Sequence, residues 1–366
     1  MGALVLLIVA LSPAFAATQP RQHVETIPSE APRHEYAIPV GGTLDMDRTL
    51  TRSHGDIEIA FQNNVSLTIA NMGDTPVVNP RLVINERGDW WTFESMLAEF
   101  TRGAATDQER AMLIWEHMRE PRYHQVPLFS SLEMHDPVKM LGVYGHNLCG
   151  QIGNAGVALF LAAGLEGSHQ RAMYGHVQCE AMVDGRLQFL DIDQDCFYLD
   201  RENERPVSGD ELARDADLVR RELNYGPLVD EFRPSWSTPG LLGPDDQVDA
   251  RPPTFGHDLL FTLRPGEQVE FRWDKRQKWA SSGGRFDKEP VYYANSVFTY
   301  EPRLDLASVE RDAAEYAGLA AVEGALAAQN DGAALVYEVS PAFVLCGGTV
   351  EAAFDCADAA DRVAID

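Results

Sequence analysis

Residues 144–193 read YGHNLCGQIGNAGVALFLAAGLEGSHQRAMYGHVQCEAMVDGRLQFLDID, and this stretch decides the fold of the centre of the chain. Turn-forming residues precede Cys149, whereas Gly150 and an apolar run over residues 152–163 follow it and end at Gly164. The pattern predicts a loop that enters a buried helix, with Cys149 in its first turn and Gly164 at its C-cap. The helix N-terminus favours a thiolate there, and the thiolate is the nucleophilic form of cysteine.

The second half of this stretch is typical of a β-hairpin. Residues 176–183 alternate as a strand, Asp184-Gly185 is a tight turn, and residues 186–191 form the return strand. Residues equidistant from such a turn lie opposite each other. His176 and Asp191 are therefore expected near each other at the open end of the hairpin, allowing for a bulge, where the carboxylate can orient the imidazole.

Taken together, these residues resemble a known superfamily. A Cys at a helix start, Gly-His-x-x-x-Glu, Asp-Gly, and an Asp fifteen residues after the His are similar to the transglutaminase-like branch of the papain-related cysteine enzymes. The resemblance covers roughly residues 93–198. It implies that Cys149 is the nucleophile, His176 its base and Asp191 the group that orients the base. Taken singly, each residue is more often structural than catalytic, and the joint spacing carries the hypothesis.

The chain departs from the family pattern near the closing aspartate. Gln188 stands where family members often have an aromatic residue, and Asp191-Ile-Asp193 stands where they often have Asp-Pro. Asp191 and Asp193 have the same strand parity and point to one face if the strand continues. The hairpin count favours Asp191 as the orienting residue and leaves Asp193 as a rival.

The expected fold class is α+β. The resemblance implies a papain/transglutaminase-like core, in which the cysteine helix packs on an antiparallel sheet, flanked by β-sandwich-like modules. The flanking segments resemble those of bacterial secreted proteins with this arrangement. The predicted organisation is a signal peptide at 1–17, a lead-in and β module at 18–92, the core at 93–226, a linker at 227–255 and a C-terminal β-rich domain at 256–366.

Several helices are predicted around this core. Thr92 is expected to cap a helix that runs to Phe100, and Thr106 with Glu109 forms a capping box ahead of the next one. A longer helix is predicted over about residues 306–328 within the C-terminal domain. The remaining pattern of that domain indicates short strands.

The composition restricts the partners of the protein. The 366 residues include 56 Asp and Glu against 30 Lys and Arg, which gives a formal net charge of -26. Such an acidic surface repels phosphate backbones and anionic lipid. Nucleic acid and membrane surfaces are therefore excluded as expected partners, and a neutral or cationic substrate is favoured.

The N-terminus indicates export. Residues 3–11 are apolar, and Ser12-Pro13 and Ala14-Phe15-Ala16 follow. An apolar core that ends in Ala-x-Ala is typical of a cleaved secretory signal, and this run is too short to span a bilayer. The prediction is cleavage near Ala16, a secreted or periplasmic protein, and no stable membrane insertion after cleavage.

Five cysteines are present, and an odd number leaves at least one thiol unpaired in an exported protein. Cys149 is the natural candidate. Cys179 with Cys196 and Cys346 with Cys356 are possible disulfides, and five reduced thiols are an equal alternative.

Cofactors and metals are not expected. His124, His135 and His146 cluster in the sequence, but no two of them have the spacing of a helix-face or knuckle metal site. The sequence therefore predicts no metal site and no cofactor.

Two functions remain in competition. The first is an exported cysteine enzyme that acts on amide or ester carbonyls through a thioester acyl-enzyme, with water or an amine as acceptor and a peptide, amide or cell-wall/polysaccharide-associated substrate. The alternative is a non-catalytic glycan- or cell-wall-binding protein that uses the core as a scaffold. This alternative depends on the aromatic residues Trp90, Trp91, Trp236, Trp273 and Trp279.

Overall fold

The computed structural model describes residues 24–28, 31, 33–35, 66–84, 86–119, 123–124, 135–173, 175–220, 256–272, 279–280, 291–292, 296–341, 343, 345 and 347–355. The predicted signal peptide, the predicted linker, and Cys346 and Cys356 lie outside these residues. The chain divides into two compact units, Met1–Leu67 and Thr68–Asp366. Helices and small, mostly antiparallel sheets are mixed in the second unit, which is compatible with the α+β class.

Strands from both ends of the second unit share sheets. Strand β1 (Ser66–Ala70) lies beside β10 (Glu267–Arg272), which pairs on its other side with β13 (Ser296–Tyr300). Likewise β2 (Val77–Val78) pairs with β9 (Thr262–Leu263). The short strands β11 (Trp279–Ala280) and β12 (Val291–Tyr292) pair with each other. Segments that precede and follow the central region therefore join in the same sheets.

Two capped helices form one wall of the core, as the capping residues predict. Helix α1 (Phe93–Phe100) begins after Thr92, whose Oγ1 accepts a hydrogen bond from Ser95 N at 3.1 Å. Helix α2 (Asp107–Arg119) begins with the predicted box between Thr106 and Glu109. These caps satisfy amide groups that have no partner inside the helix. The inner faces of the two helices bury Met96, Phe100, Ile114, Trp115 and Met118.

A short bridge leads into the cysteine helix. Strand β3 (Tyr123–His124) pairs in parallel with β4 (His146–Asn147). Between these two strands lie the short helix α3 (Pro137–Lys139) and a π-helical turn over Met140–Tyr144. Helix α4 (Cys149–Ala162) follows at once, and Gly164 lies just beyond its end with a φ of 86°. Nine consecutive residues of α4, 152–160, are buried. The predicted buried helix is confirmed.

The predicted hairpin is confirmed and belongs to a four-stranded sheet. Its strands are β5 (His169–Met173), β6 (His176–Val183), β7 (Arg186–Asp191) and β8 (Cys196–Phe197), in that spatial order and all antiparallel. Val183 pairs with Arg186 across the turn, where Asp184 and Gly185 have φ angles of 49° and 76°. Positive φ at both central residues is what a two-residue type I′ turn requires.

Helix α4 packs on β6 through a stripe of glycines. A Cβ placed on Gly153 would lie 3.2 Å from the Cα of Gln178, and one on Gly156 would lie 2.6 Å from Ile192 Cδ1. Larger side chains would push the helix away from the strand. The small residues therefore bring the first turn of α4 close to the end of the hairpin.

The prediction of one helix over residues 306–328 is wrong beyond its first turns. Helix α7 covers Leu306–Asp312 only, and the chain then forms β14 (Glu315–Ala317), β15 (Leu319–Val322), β16 (Ala325–Ala328) and β17 (Ala334–Val336). Gly318 and Gly324 have φ angles of 60° and 72°, which a continuous helix does not allow. Cross-strand pairing between β15 and β16 therefore overrides the helix propensity of the alanines.

After the central sheet, a helical segment packs against it, and Leu212, Leu218 and Val219 form one buried cluster with Phe189 and Tyr198. Helices α5 (Gly209–Arg214) and α6 (Ala216–Arg220) follow the cap residue Ser208, whose Oγ accepts from Glu211 N at 3.2 Å.

Across the residues that the structure describes, no helix has the length and apolarity needed to cross a membrane.

Candidate functional site

Cys149 is the first residue of α4 and is partly exposed. Polar contacts hold this turn in place. Gln178 Nε2 donates to the carbonyl oxygen of Cys149 at 3.3 Å, and Gln170 Nε2 donates to that of Gly150 at 2.6 Å. Leu148 N donates to Gln151 Oε1 at 2.8 Å. These contacts, from the sheet and from the helix itself, fix the backbone position of Cys149.

His176 and Asp191 form a buried pair at the end of the hairpin. The imidazole Nε2 lies 2.8 Å from Asp191 Oδ2, and the two side chains are 2% and 0% exposed. The other carboxylate oxygen accepts from Gln194 N at 2.8 Å, and Trp115 Nε1 donates to the Asp191 carbonyl at 3.0 Å. The Asp191 carboxylate therefore cannot rotate without breaking its contacts with His176 and Gln194 N, and it holds the imidazole in one orientation.

The environment favours a protonated His176. Burial by itself lowers the pKa of this imidazole, but the hydrogen bond and charge of Asp191, together with hydrogen bonding and charge interaction with Cys149, outweigh burial and raise the pKa to about 10. At neutral pH the ring then carries a proton beside the thiol. An imidazolium next to a cysteine stabilises the thiolate, which is the form that attacks a carbonyl.

Asp193 lies on the other side of the imidazole. Its Oδ2 is 4.0 Å from His176 Nδ1, and both of its oxygens contact His124 Nδ1, at 2.8 and 2.9 Å. The Asp193 side chain is 1% exposed, whereas that of His124 is 43% exposed. The structure thus brings both aspartates to His176. Asp191 contacts Nε2 directly, and Asp193 pairs with His124 instead.

The turn after β7, and not the residue count along the hairpin, makes Asp191 the closer partner. The β6–β7 ladder is regular as far as Cys179 opposite Leu190, and its continuation would place Asp193 opposite His176. The chain leaves β7 after Asp191 and enters a turn, in which Ile192 N donates to Gln178 Oε1 at 3.1 Å. Asp191 then reaches His176 diagonally across the ladder, a separation that side chains can span.

The possible bridge between Cys179 and Cys196 is not formed, because both are free thiols. Cys179 lies on β6 and Cys196 on β8, with β7 between them. Two strand spacings amount to about 9.5 Å, beyond the roughly 7 Å that a disulfide allows between Cα atoms. Burial, and then the charge of Asp191, raise the pKa of Cys179 well above its usual range, and its Sγ donates to Leu190 O at 3.2 Å. This thiol is therefore inert.

Sequence reasoning missed three supporting residues. Gln178 lies two positions from His176 on β6, so strand periodicity alone places both side chains on one face. Trp115 and His124 carry no such local signal, because their contacts with Asp191 and Asp193 form only in the folded chain. The structure places His124 in β3, paired with a buried carboxylate.

No family model, no curated protein and no solved structure matches the chain.

Proposed function

We propose that this protein is an exported cysteine enzyme with a papain/transglutaminase-like core, which acts on amide or ester carbonyls through a thioester at Cys149. The observation that carries the proposal is the 2.8 Å contact between His176 Nε2 and Asp191, made by an imidazole whose other side faces the partly exposed Cys149. The helix start, the base and the orienting carboxylate come from different elements. They meet in the arrangement that nucleophilic catalysis requires.

The first half of the proposed reaction forms the acyl-enzyme. Cys149 thiolate attacks the substrate carbonyl carbon, and backbone N–H groups in the first turn of α4 stabilise the oxyanion. Because Asp191 engages Nε2, His176 Nδ1 is the nitrogen that exchanges the proton. It protonates the leaving amine or alcohol as the carbon–heteroatom bond breaks, and a thioester remains on Cys149.

The second half releases the acyl group. Neutral His176 Nδ1 takes a proton from water or an acceptor amine, which attacks the thioester carbonyl. The carbon–sulfur bond breaks and Cys149 leaves as a thiolate, so that the starting imidazolium–thiolate pair is restored. Hydrolysis yields an acid, and transfer yields a new amide.

The proposed substrates are peptides, amides or cell-wall and polysaccharide-associated acyl compounds outside the cell, in a secreted or periplasmic setting. The net charge of -26 supports neutral or cationic substrates over nucleic acid and anionic lipid surfaces. The N-terminal apolar run that ends in Ala14-Phe15-Ala16 supports export.

The packing of two tryptophans weighs against the alternative of a glycan-binding scaffold. Trp91 is 8% exposed and packs against Phe261 and Phe271, and Trp90 makes an edge contact with Phe100. Aromatic rings that fill a core are not available to stack on a sugar. In the described residues these two side chains therefore serve packing.

Thiol mapping tests the proposal. We expect iodoacetamide at neutral pH to modify Cys149 much faster than Cys179 or Cys196, which serve as controls within the same chain, and peptide mass mapping reads the sites. A library of amides, esters and cell-wall fragments should then give an acyl adduct on Cys149 and none on Cys149→Ala. Asp191→Asn should be milder than Cys149→Ala or His176→Ala, because the orienting residue does not exchange the proton. A parent-like turnover by Cys149→Ala would exclude the proposed nucleophile.

A further inference from the structure

Three metal-ligating atoms lie together at the end of the hairpin. The thiol of Cys149, a ring nitrogen of His176 and a carboxylate oxygen of Asp193 are all within 4.8 Å of one another. They come from helix α4, strand β6 and the turn after β7. Thiolate, imidazole and carboxylate are the three side-chain ligands that Zn²⁺ takes in proteins. We propose that these residues bind one Zn²⁺ ion, with a fourth position open to solvent, and that the bound ion blocks the thiol.

The surroundings of the ligands favour this assignment over a chance cluster. A histidine that binds a metal through one nitrogen usually donates the other N–H to a carboxylate, and here His176 Nε2 lies 2.8 Å from Asp191. Coordination through Nδ1 is compatible with that contact. A ligating carboxylate is normally held by a further hydrogen bond, and Asp193 has His124 at 2.8 Å. Two of the three ligands therefore carry the outer support that metal sites show.

The fit requires only a small movement. With Zn–N and Zn–O bonds of about 2.0 Å and a Zn–S bond of about 2.3 Å, the three tetrahedral ligand atoms would lie roughly 3.3–3.5 Å apart. His176 Nδ1 and Asp193 Oδ2 are 4.0 Å apart, and no ligand pair exceeds 4.8 Å. A closure of roughly 1 Å therefore suffices. Cys149 is the partly exposed member of the set, and rotation of its side chain about χ1 can bring the thiol into place, while His176 and Asp193 must approach each other by roughly 0.7 Å.

Zinc and acyl chemistry exclude each other in this arrangement. The ion would occupy Cys149 Sγ and His176 Nδ1, which are the two atoms that form the thioester and exchange the proton. The inhibition rests on the proposed function, whereas the binding of zinc does not. This site departs from the prediction of no metal, which considered the histidines alone and paired none of them with Cys149 or Asp193.

Metal titration of the full-length, chelator-treated protein tests the binding. We expect one equivalent of Zn²⁺ by calorimetry, no binding of Mg²⁺, and a thiolate-to-metal charge-transfer absorption with Co²⁺. Cys149→Ala should abolish this absorption and weaken zinc binding by more than about a hundredfold. Asp191→Asn should keep the absorption and weaken binding by about tenfold to a hundredfold, because it removes outer support only.

Two further variants keep the test decisive. His124→Gln alters a half-exposed partner of Asp193 and should weaken zinc binding with little effect on folding. His257→Gln changes another buried-carboxylate pair, in which Nδ1 lies 3.0 Å from Asp136, and should leave zinc binding unchanged. Parent-like affinity in Cys149→Ala, or the absence of any stoichiometric binding to the parent, would overturn the site.

Alkylation with and without zinc separates this inference from the proposed function. We expect one equivalent of Zn²⁺ to slow the alkylation of Cys149 by at least about tenfold. Rapid alkylation that zinc does not slow overturns the metal site and leaves the cysteine enzyme intact. A Co²⁺–thiolate absorption in a protein whose Cys149 is unreactive without metal overturns the cysteine enzyme and leaves the metal site intact.

Discussion

Strand β6 carries two buried ionisable clusters, at His176 and at Glu180, and the two clusters differ in the groups that surround the buried side chain. Glu180 is 1% exposed and accepts a hydrogen bond from Gly209 N at 2.7 Å. Arg171 Nη1 lies 3.4 Å from Glu180 and 3.0 Å from Asp210. In this cluster the Glu180 carboxylate is paired with Arg171 and with His169 Nε2 at 3.3 Å, and the contacts of Glu180 and Arg171 with residues 209 and 210 join α5 to the sheet. At His176 the buried carboxylate supports a ring whose other side faces a thiol.

The difference shows what separates a structural ion pair from a candidate active site. Both clusters are buried, and burial alone would indicate Glu180 as a candidate active-site residue as readily as His176. Only His176 lies beside a partly exposed thiol, which is the nucleophile of the proposed function. A perturbed or buried charge therefore gains functional meaning from its reactive neighbour, not from its burial.

The largest expected effect comes from a substitution that breaks the pair between His176 and Asp191. His176→Gln should lower turnover by about a hundredfold to ten-thousandfold, which is the usual contribution of a positioned acid–base group. It should also slow alkylation of Cys149 at pH 7 by about tenfold to thirtyfold, because an unassisted thiol of pKa about 8.5 is only a few per cent thiolate. Stopped-flow or quenched alkylation measures the rate. An unchanged rate would place the ring outside the chemistry.

The second effect breaks the other cluster. Arg171→Met should destabilise the fold by about 3–5 kcal/mol, because it leaves Glu180 buried with a weakened set of partners. Urea unfolding measures the loss. The alkylation rate of Cys149 per folded molecule should stay within about twofold of the parent. A large loss of thiol reactivity with unchanged stability would contradict the structural role assigned to this cluster.

The third effect concerns pH. The pKa of His176 is raised from 6.5 to about 10, so the folded state binds its proton more tightly than the unfolded state. Its contribution to stability is fully present below about pH 6.5 and is lost as the pH rises towards about 10. The difference in unfolding free energy between the parent and His176→Gln, measured by urea at a series of pH values, should shrink across this window. A difference that grows with pH would contradict the raised pKa of His176.

The features that sequence reasoning predicted are local in the chain. The hairpin follows from strand alternation and from Asp184-Gly185, which adopts the positive φ angles that its residue types tolerate. The cysteine helix follows from its apolar run. These signals placed Cys149, His176 and Asp191 correctly in their elements, but counting from the turn places Asp193 opposite His176, and the turn after β7 is what leaves Asp191 as the closer carboxylate.

The features that it missed depend on the folded chain. His124 reaches Asp193 only because β3 pairs with β4, far along the sequence from β7. The alanine-rich stretch from Ala313 onwards has helical propensity, yet Gly318 and Gly324 permit a hairpin there. The propensities of single residues do not predict the strand pairing of this hairpin. Tertiary pairing decides such elements, and a single sequence does not encode it locally.

The smallest expected effect tests how the helix is held against β6. Gly153→Ala places a Cβ 3.2 Å from the backbone of Gln178, which cannot move aside, and should cost about 1–3 kcal/mol. Gly150→Ala is the matched control, because its nearest neighbour would be Val177 Cβ at 3.9 Å. The control should be neutral or slightly stabilising, since alanine favours helix. Equal costs in thermal or urea unfolding would show that close packing does not set the helix position.

The glycine contact between α4 and β6 also couples the chemistry to the folding process. Cys149 and His176 belong to separate elements and meet only when the helix docks on the finished hairpin. We expect secondary structure to form before this non-local contact during refolding, and the thiol to react slowly until the helix has docked. An incomplete or unfolded chain thus carries an ordinary cysteine. We therefore expect a fast-reacting thiol to appear only when the protein becomes native.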